Sequence, residues 1–232
     1  MKKNPKFIWM LIALAAPLAG IKYAIANNGD VLRYKVTVTV TTPEGEKTGS
    51  AVREAGRYSE MRILPQQGGV TYNIAKGEAV VIDLGKSGVL FALMGDREEA
   101  EVIFNMFPNK KAKDRVTMTL EQMRRYPQFV HFKNLNDQKA VEYAAQRKIE
   151  GGHYDGPYID GGSVAGINFN ENIFGKGINL KEVTIELTGD PVTTGIEKYL
   201  PWLSHVYGYI SSKGGCGGPP ITCLDSGDFE RK

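Results

Sequence analysis

His153, Asp155 and Asp160 fall in one glycine-rich stretch, Gly151–Gly166 (GGHYDGPYIDGGSVAG), together with Tyr154 and Tyr158. An imidazole and two carboxylates on pliant backbone can converge on a metal ion, and nearby tyrosines can stack on a sugar ring. These three residues are the ligand-binding candidates. The plainer reading is an exposed, solvated loop, because glycine at this density beside Pro157 predicts no regular structure.

Other residues with chemical potential lack the context their chemistry needs. Gly85-Lys86-Ser87 matches the end of a phosphate-binding loop, but Val80 stands where that loop needs its first glycine, and the segment joins two predicted strands. Gly162-Ser163-Val164-Ala165 is not preceded by the apolar strand that a nucleophile elbow requires. Of the three histidines, His131 reads as a surface position in the strand FVHF, and His205 lies among aromatic residues, as a packed histidine would. None stands at metal-binding spacing from another histidine or a carboxylate. No catalytic residue, metal site or cofactor is expected.

Cys216 and Cys223 enclose GGPPIT near the C-terminus. In an exported chain such a pair predicts a local disulfide, and no histidine lies nearby to complete a zinc site. Export is expected from the other end of the chain. Lys2, Lys3 and Lys6 precede the uncharged run FIWMLIALAAPLAG, and Ala24 and Ala26 supply the small-x-small pattern for cleavage after Ala26. An uncleaved signal anchor is the alternative, although Lys22 interrupts the run before the roughly 20 apolar residues of a full membrane span. Ile21 stands where a lipoprotein signal demands cysteine.

Removing Lys2, Lys3, Lys6 and Lys22 with that segment brings the 29 basic residues of the whole chain close to its 26 acidic ones. A mature domain so nearly neutral has no basic face for nucleic acid. The expected division is a signal peptide or signal anchor over 1–26, a single mixed α+β domain over 27–210, and a Gly/Pro-rich tail over 211–232.

The elements that must position these residues are mostly strands. Leu32, Tyr34, Val36, Val38 and Val40 alternate with polar residues, which predicts a strand with one face on a core. Pro43–Glu46 turns it into a returning strand over Thr48–Ala55, and short runs over 61–64, 70–74, 79–84 and 89–93 predict an antiparallel meander. AVVIDL and VLFAL are nearly continuous in apolar residues and suggest central strands covered on both faces. Another strand is expected over Leu180–Leu187.

Helices are predicted from Asp96 to Phe107, from Thr119 to Tyr126, and over Gln138–Arg147 with Asn136 or Asp137 as cap. Thr194-Gly195-Ile196-Glu197 reads as a capping box that starts a short C-terminal helix, with Ile196, Leu200 and Leu203 on one face and Trp202 near its end. The predicted fold is therefore α+β, a mainly antiparallel sheet of hairpin and meander with a few short helices packed on it.

The segments LRYKVTVTVTTPEGEKTGS, SGVLFALM, FVHFKNLNDQKAVEYA and INLKEVTIELTGDPVTTGIEKYLPWL resemble blocks of an uncharacterised family of proteobacterial envelope proteins that begin with a hydrophobic segment. The resemblance implies a compartment and a single domain, and no catalytic residue. The function expected is that of a periplasmic or secreted protein, or one anchored in the inner membrane facing outward. It would act as a non-catalytic binding or structural module whose partner is an envelope protein or a cell-wall component, with membrane contact through the N-terminal segment if that stays uncleaved. The alternative is a metal-dependent or hydrolytic enzyme using the His153–Asp160 loop.

Overall fold

The structure, a computed structural model, describes residues 29–59, 69–109, 114–155, 158–206, 209–210 and 224–232, without the side chains of 152–161. The expected cleavage site at Ala24 and Ala26 and the Cys216–Cys223 pair lie outside the described residues.

The alternation from Leu32 to Val40 produces β1 (Gly29–Thr42), with Leu32, Tyr34, Val36, Val38 and Val40 all buried. It hairpins into β2 (Gly45–Ser59), and β3 (Val70–Glu78) pairs along the last part of the outer side of β2, from Glu54 to Ser59. Ala79 alone separates β3 from β4 (Val80–Asp83), so the chain leaves one sheet and enters the next almost without a break. β5 (Val89–Ala92) returns beside β4.

Helix α1 (Arg97–Met106) follows where acids at its start and Pro108 after its end predict it. Next come β6 (Arg115–Thr117), β7 (Phe129–Phe132), β8 (Val141–Tyr143), β9 (Ala145–Asp155), β10 (Tyr158–Phe169), the single-turn helix α2 (Glu171–Phe174) and β11 (Asn179–Leu187). The chain closes with β12 (Tyr209–Ile210), β13 (Leu224–Asp225) and β14 (Glu230–Arg231).

A six-stranded antiparallel sheet runs β14-β3-β2-β1-β11-β6, and a four-stranded one runs β4-β5-β7-β8. Between them lies the larger core, in which Val36, Val38 and Val40 share a cluster with Val80, Ile82 and Leu90. The outer face of the smaller sheet is covered too: Phe91, Leu93, Val130 and Phe132 pack with Ile196, Leu200, Leu203 and Phe229. Two covered faces explain the unbroken apolar runs of β4 and β5. At the crossing of the sheets a Cβ on Gly49 would sit 2.2 Å from the Val81 carbonyl oxygen, so β2 can approach β4 only with glycine there.

The α+β expectation is corrected to a mainly-β fold, because only two α-helices stand among the described residues and most of the rest is antiparallel sheet. The reason is tertiary. The segment Gln138–Arg147 has a helix-like apolar spacing, but Val141 and Tyr143 pair with Phe132 and Val130 of β7, leaving only a 3-10 turn over Gln138–Ala140 capped by Asp137. Thr119 and Gln122 do exchange the reciprocal hydrogen bonds of a helix start, yet only turns follow, and Arg124 is drawn away to the carbonyl of Gly162 on β10.

The capping box at Thr194 is also corrected. Thr194 is exposed, Gly195 at φ +113° begins a 3-10 turn over Ile196–Lys198, and no side chain of that segment caps it. Ile196, Leu200 and Leu203 nevertheless share the buried face expected of them. Trp202 packs against Phe132 and donates its indole N–H to the Leu135 carbonyl at 2.7 Å.

The expectation of a membrane-spanning helix is corrected as well: no helix among the described residues is long and apolar enough to cross a membrane, α1 having ten residues. Within the expected tail, Leu224–Asp225 pairs with Tyr209–Ile210 and Glu230–Arg231 pairs with Gly77 and Glu78 of β3.

Candidate functional site

Two constellations of charged and polar groups stand out among the described residues, and neither contains His153, Asp155 or Asp160. The first begins on β2. Ala51, Arg53 and Ala55 share the parity that points into the core, so the Arg53 guanidinium is buried opposite Tyr34 of β1, with 0% of its surface exposed. A buried guanidinium needs both a counter-charge and partners for its N–H groups.

Glu99, in the first turn of α1, supplies the charge. Its Oε1 accepts from Arg53 Nη1 at 2.8 Å and from the Tyr34 hydroxyl at 2.5 Å, while Oε2 accepts from the Gly95 N–H at 2.6 Å. Arg53 further donates from Nη1 to the Tyr126 hydroxyl at 2.6 Å, from Nε to the Glu78 carbonyl at 2.8 Å and from Nη2 to the Ala92 carbonyl at 3.1 Å. One guanidinium thus joins β1, β2, the end of β3, β5, α1 and the turn before β7. Gly77, at φ +143°, passes over the stem of this arginine, where a Cβ would meet Arg53 Cγ at 2.7 Å.

The electrostatics keep this network in one protonation state. Burial would lower the Arg53 pKa, but the charge of Glu99 and then the Tyr126 and Tyr34 hydroxyls hold it above its ordinary value. Burial, reinforced by Glu99, pushes the Tyr34 phenol well above 10, and burial does the same for Tyr126 against the opposing charge of Arg53. The result is an ion pair flanked by two neutral phenols. With Tyr126 only 2% exposed and the other three at 0%, no substrate can reach it. It is a polar staple.

The second constellation lies where the C-terminus meets β3. Carboxylate oxygens of Glu78, Glu197 and Glu230 all lie within 4.8 Å of one another. Glu78 is the buried member, and its carboxylate accepts from the N–H groups of Gly195 and, at 3.0 Å, Ile196. It therefore supplies the cap expected from Thr194. Burial raises its pKa against those two hydrogen bonds, and Glu230 and Glu197 raise it further.

The Lys232 ammonium bridges Glu197 at 3.1 Å and Glu230 at 3.2 Å. Three carboxylates are a donor set for a hard cation, but here the protein's own ammonium serves two of them.

The candidates His153, Asp155 and Asp160 are placed on a β-ribbon, which corrects the irregular loop. His153 of β9 pairs with Asp160 of β10, and Asp155 with Tyr158. The backbones of all three are thereby brought together, while their side chains lie outside the described residues. Among the described residues the ribbon pairs with no other strand. Its base is held by Arg147, which donates to the carbonyls of Met123 at 2.6 Å and Pro127 at 2.7 Å. His131, expected on a strand surface, is half-buried, with Nδ1 2.9 Å from the Val89 carbonyl oxygen.

The Arg53 network escaped the reading of the sequence although one signal was present. A-x-R-x-A places an arginine in phase with two core alanines and opposite an inward tyrosine, where alternation calls for an apolar residue. Glu78 carried no local signal, because the amides it caps lie far along the chain. Comparison with protein-family models, curated proteins and solved structures gives no match.

Proposed function

We propose that this chain is an exported, non-catalytic binding or structural module of the cell envelope, acting on an envelope protein or a cell-wall component. The observation that carries the reading is the sealing of the Arg53 network. This constellation of charged and phenolic groups, drawn from much of the fold, is saturated with hydrogen bonds and closed to solvent, which suits a scaffold better than a reaction centre. Export rests on the basic start, the apolar run and the small residues Ala24 and Ala26. The resemblance to the proteobacterial envelope family agrees with both.

The β9–β10 ribbon is the proposed contact element. One face of it is packed, with Val164 and Phe169 buried, while Gln146, Lys148, Glu150, Ser163 and Asn168 on it are exposed. Cell fractionation with intact-mass measurement tests export: the expected product begins at Asn27. Photo-crosslinking residues placed at Lys148 and Ser163 should then give adducts that the same residue at exposed Lys86 does not, and equal labelling at all three would remove the ribbon from the proposal.

The alternative, an enzyme on the ribbon, draws support from the pairing of His153 with Asp160. Calorimetric titration with zinc distinguishes it, since saturable binding abolished by His153→Ala would favour that reading.

A further inference from the structure

The C-terminal residues Leu224–Lys232 cross the molecule as a strap. The Ala79 N–H donates to the Phe229 carbonyl at 2.8 Å and the Met94 N–H to the Asp228 carbonyl at 2.9 Å. β14 adds Glu230 and Arg231 beside Glu78 and Gly77 at the edge of β3. Phe229, fully buried, stacks edge-on against Phe91 and also packs on Phe132. Backbone and aromatic packing thus hold the strap down.

Its charges pull the other way. Glu230 pairs across the ladder with Glu78, and like charges directly opposite on adjacent strands repel. Glu197 completes the trio from the turn that packs beside them. At the other end, Asp228 lies near Asp225 within the strap and near Asp96 at the start of α1. Against these six carboxylates stand two cations. Arg231 reaches Asp96 at 2.8 Å, and Lys232 bridges Glu197 and Glu230. Among the described residues, Tyr209 of β12, exposed and paired with Asp225, and Lys198, whose Nζ lies over Gly195, are further titratable neighbours.

We propose that Leu224–Lys232 is a pH-sensitive strap, docked more firmly in mild acid than at neutral pH because its carboxylates face carboxylates of the body. The inference does not depend on the proposed binding function. Burial, with Asp225 and Asp96 adding to it, raises the Asp228 carboxyl to about 6, against the Asp225 N–H and Arg231, which oppose the shift.

Burial likewise raises Glu230 and Glu78. An acid whose pKa is higher in the docked state binds its proton better there. Its support is full below the free value of about 3.9 and is lost as pH rises through the docked value. Glu197, held low by hydrogen bonds from its own backbone N–H and from Lys232, acts in the opposite sense but below the usual carboxylate range. The window is therefore set by Asp228, and Glu230 and Glu78 add in the same sense. A released strap uncovers Phe91, Phe132 and the β3 edge at Gly77 and Glu78.

The test is native-state hydrogen exchange of the Ala79 and Met94 amides in the full mature chain at pH 7.5 and 5. Rates are corrected for intrinsic exchange and referred to the amide of Val38 in β1. Protection relative to Val38 is expected to rise on the order of tenfold on acidification, with the rise abolished in Asp228→Asn and reduced in Glu230→Gln. Protection that stays level or falls in the parent overturns the proposal, as does an Asp228→Asn protein that keeps the full rise. Should Asp228→Asn not fold, the parent profile and Glu230→Gln decide.

Discussion

Arg53 and Glu99 stand 46 residues apart in sequence and 2.8 Å apart in space, and neither side chain is exposed. The pair ties the two sheets to α1, and removing one partner strands a buried charge. Glu99→Ala and Arg53→Ala should each cost about 3–5 kcal/mol, and Tyr34→Phe about 1–3 kcal/mol because an acceptor keeps other donors. Urea unfolding checks this. A double variant much less damaged than the sum of its parts would confirm that the two charges act as a unit.

The cap of the turn at Ile196 is contributed by Glu78 from β3. Glu78→Ala should destabilise by about 1–3 kcal/mol by leaving the Gly195 and Ile196 N–H groups without acceptors. Thr194→Ala should stay within about 0.5 kcal/mol, as an exposed residue with no special partner does. The two midpoints measured side by side decide between a cap from Glu78 and a cap from within the segment.

Alkaline stability should depend on Tyr34 and Tyr126. Both phenols have folded pKa values raised by burial, so their contribution is full below pH about 10, where the unfolded chain begins to ionise, and is lost as pH rises beyond it. Titration by tyrosinate absorbance should show two residues that ionise only as the protein unfolds. In Tyr34→Phe the number should fall to one.

Phe229 tests whether the C-terminus belongs to the fold. A fully buried phenylalanine between Phe91 and Phe132 predicts a loss of about 3–5 kcal/mol in Phe229→Ala. A thermal midpoint equal to that of the parent would mean that the segment is dispensable.

Much of the sheet was legible because the periodicity of β1, β4, β5 and β11 coincides with how they are buried. Leu32 to Val40 alternate in sequence and alternate in the structure, and no distant partner alters that. Val141 to Gln146 behave differently: their spacing fits a helix as well as a strand, and pairing decides, with β7 for Val141 to Tyr143 and with β10 for Ala145 and Gln146. Glycine misleads in the ribbon, where Gly152 and Gly161 face one another across a ladder that shifts register between Val164 and Gly166. Glu78 and the Arg53 network depend on residues brought near only by folding, and alternation says which way Arg53 points but not what receives it.

The order in which this molecule can assemble follows from the place of β1. Its hairpin with β2 can close as soon as both have been made, but its other edge pairs with β11, where Tyr34 meets Leu187 and Val38 meets Val183. Until nearly the whole chain has emerged, that edge and the apolar row behind it stay open. Such a topology delays closure and leaves a strand edge available to other chains. Nascent or half-folded copies should therefore be the sticky ones, and dilution or a holding chaperone during refolding should raise the yield of the finished protein.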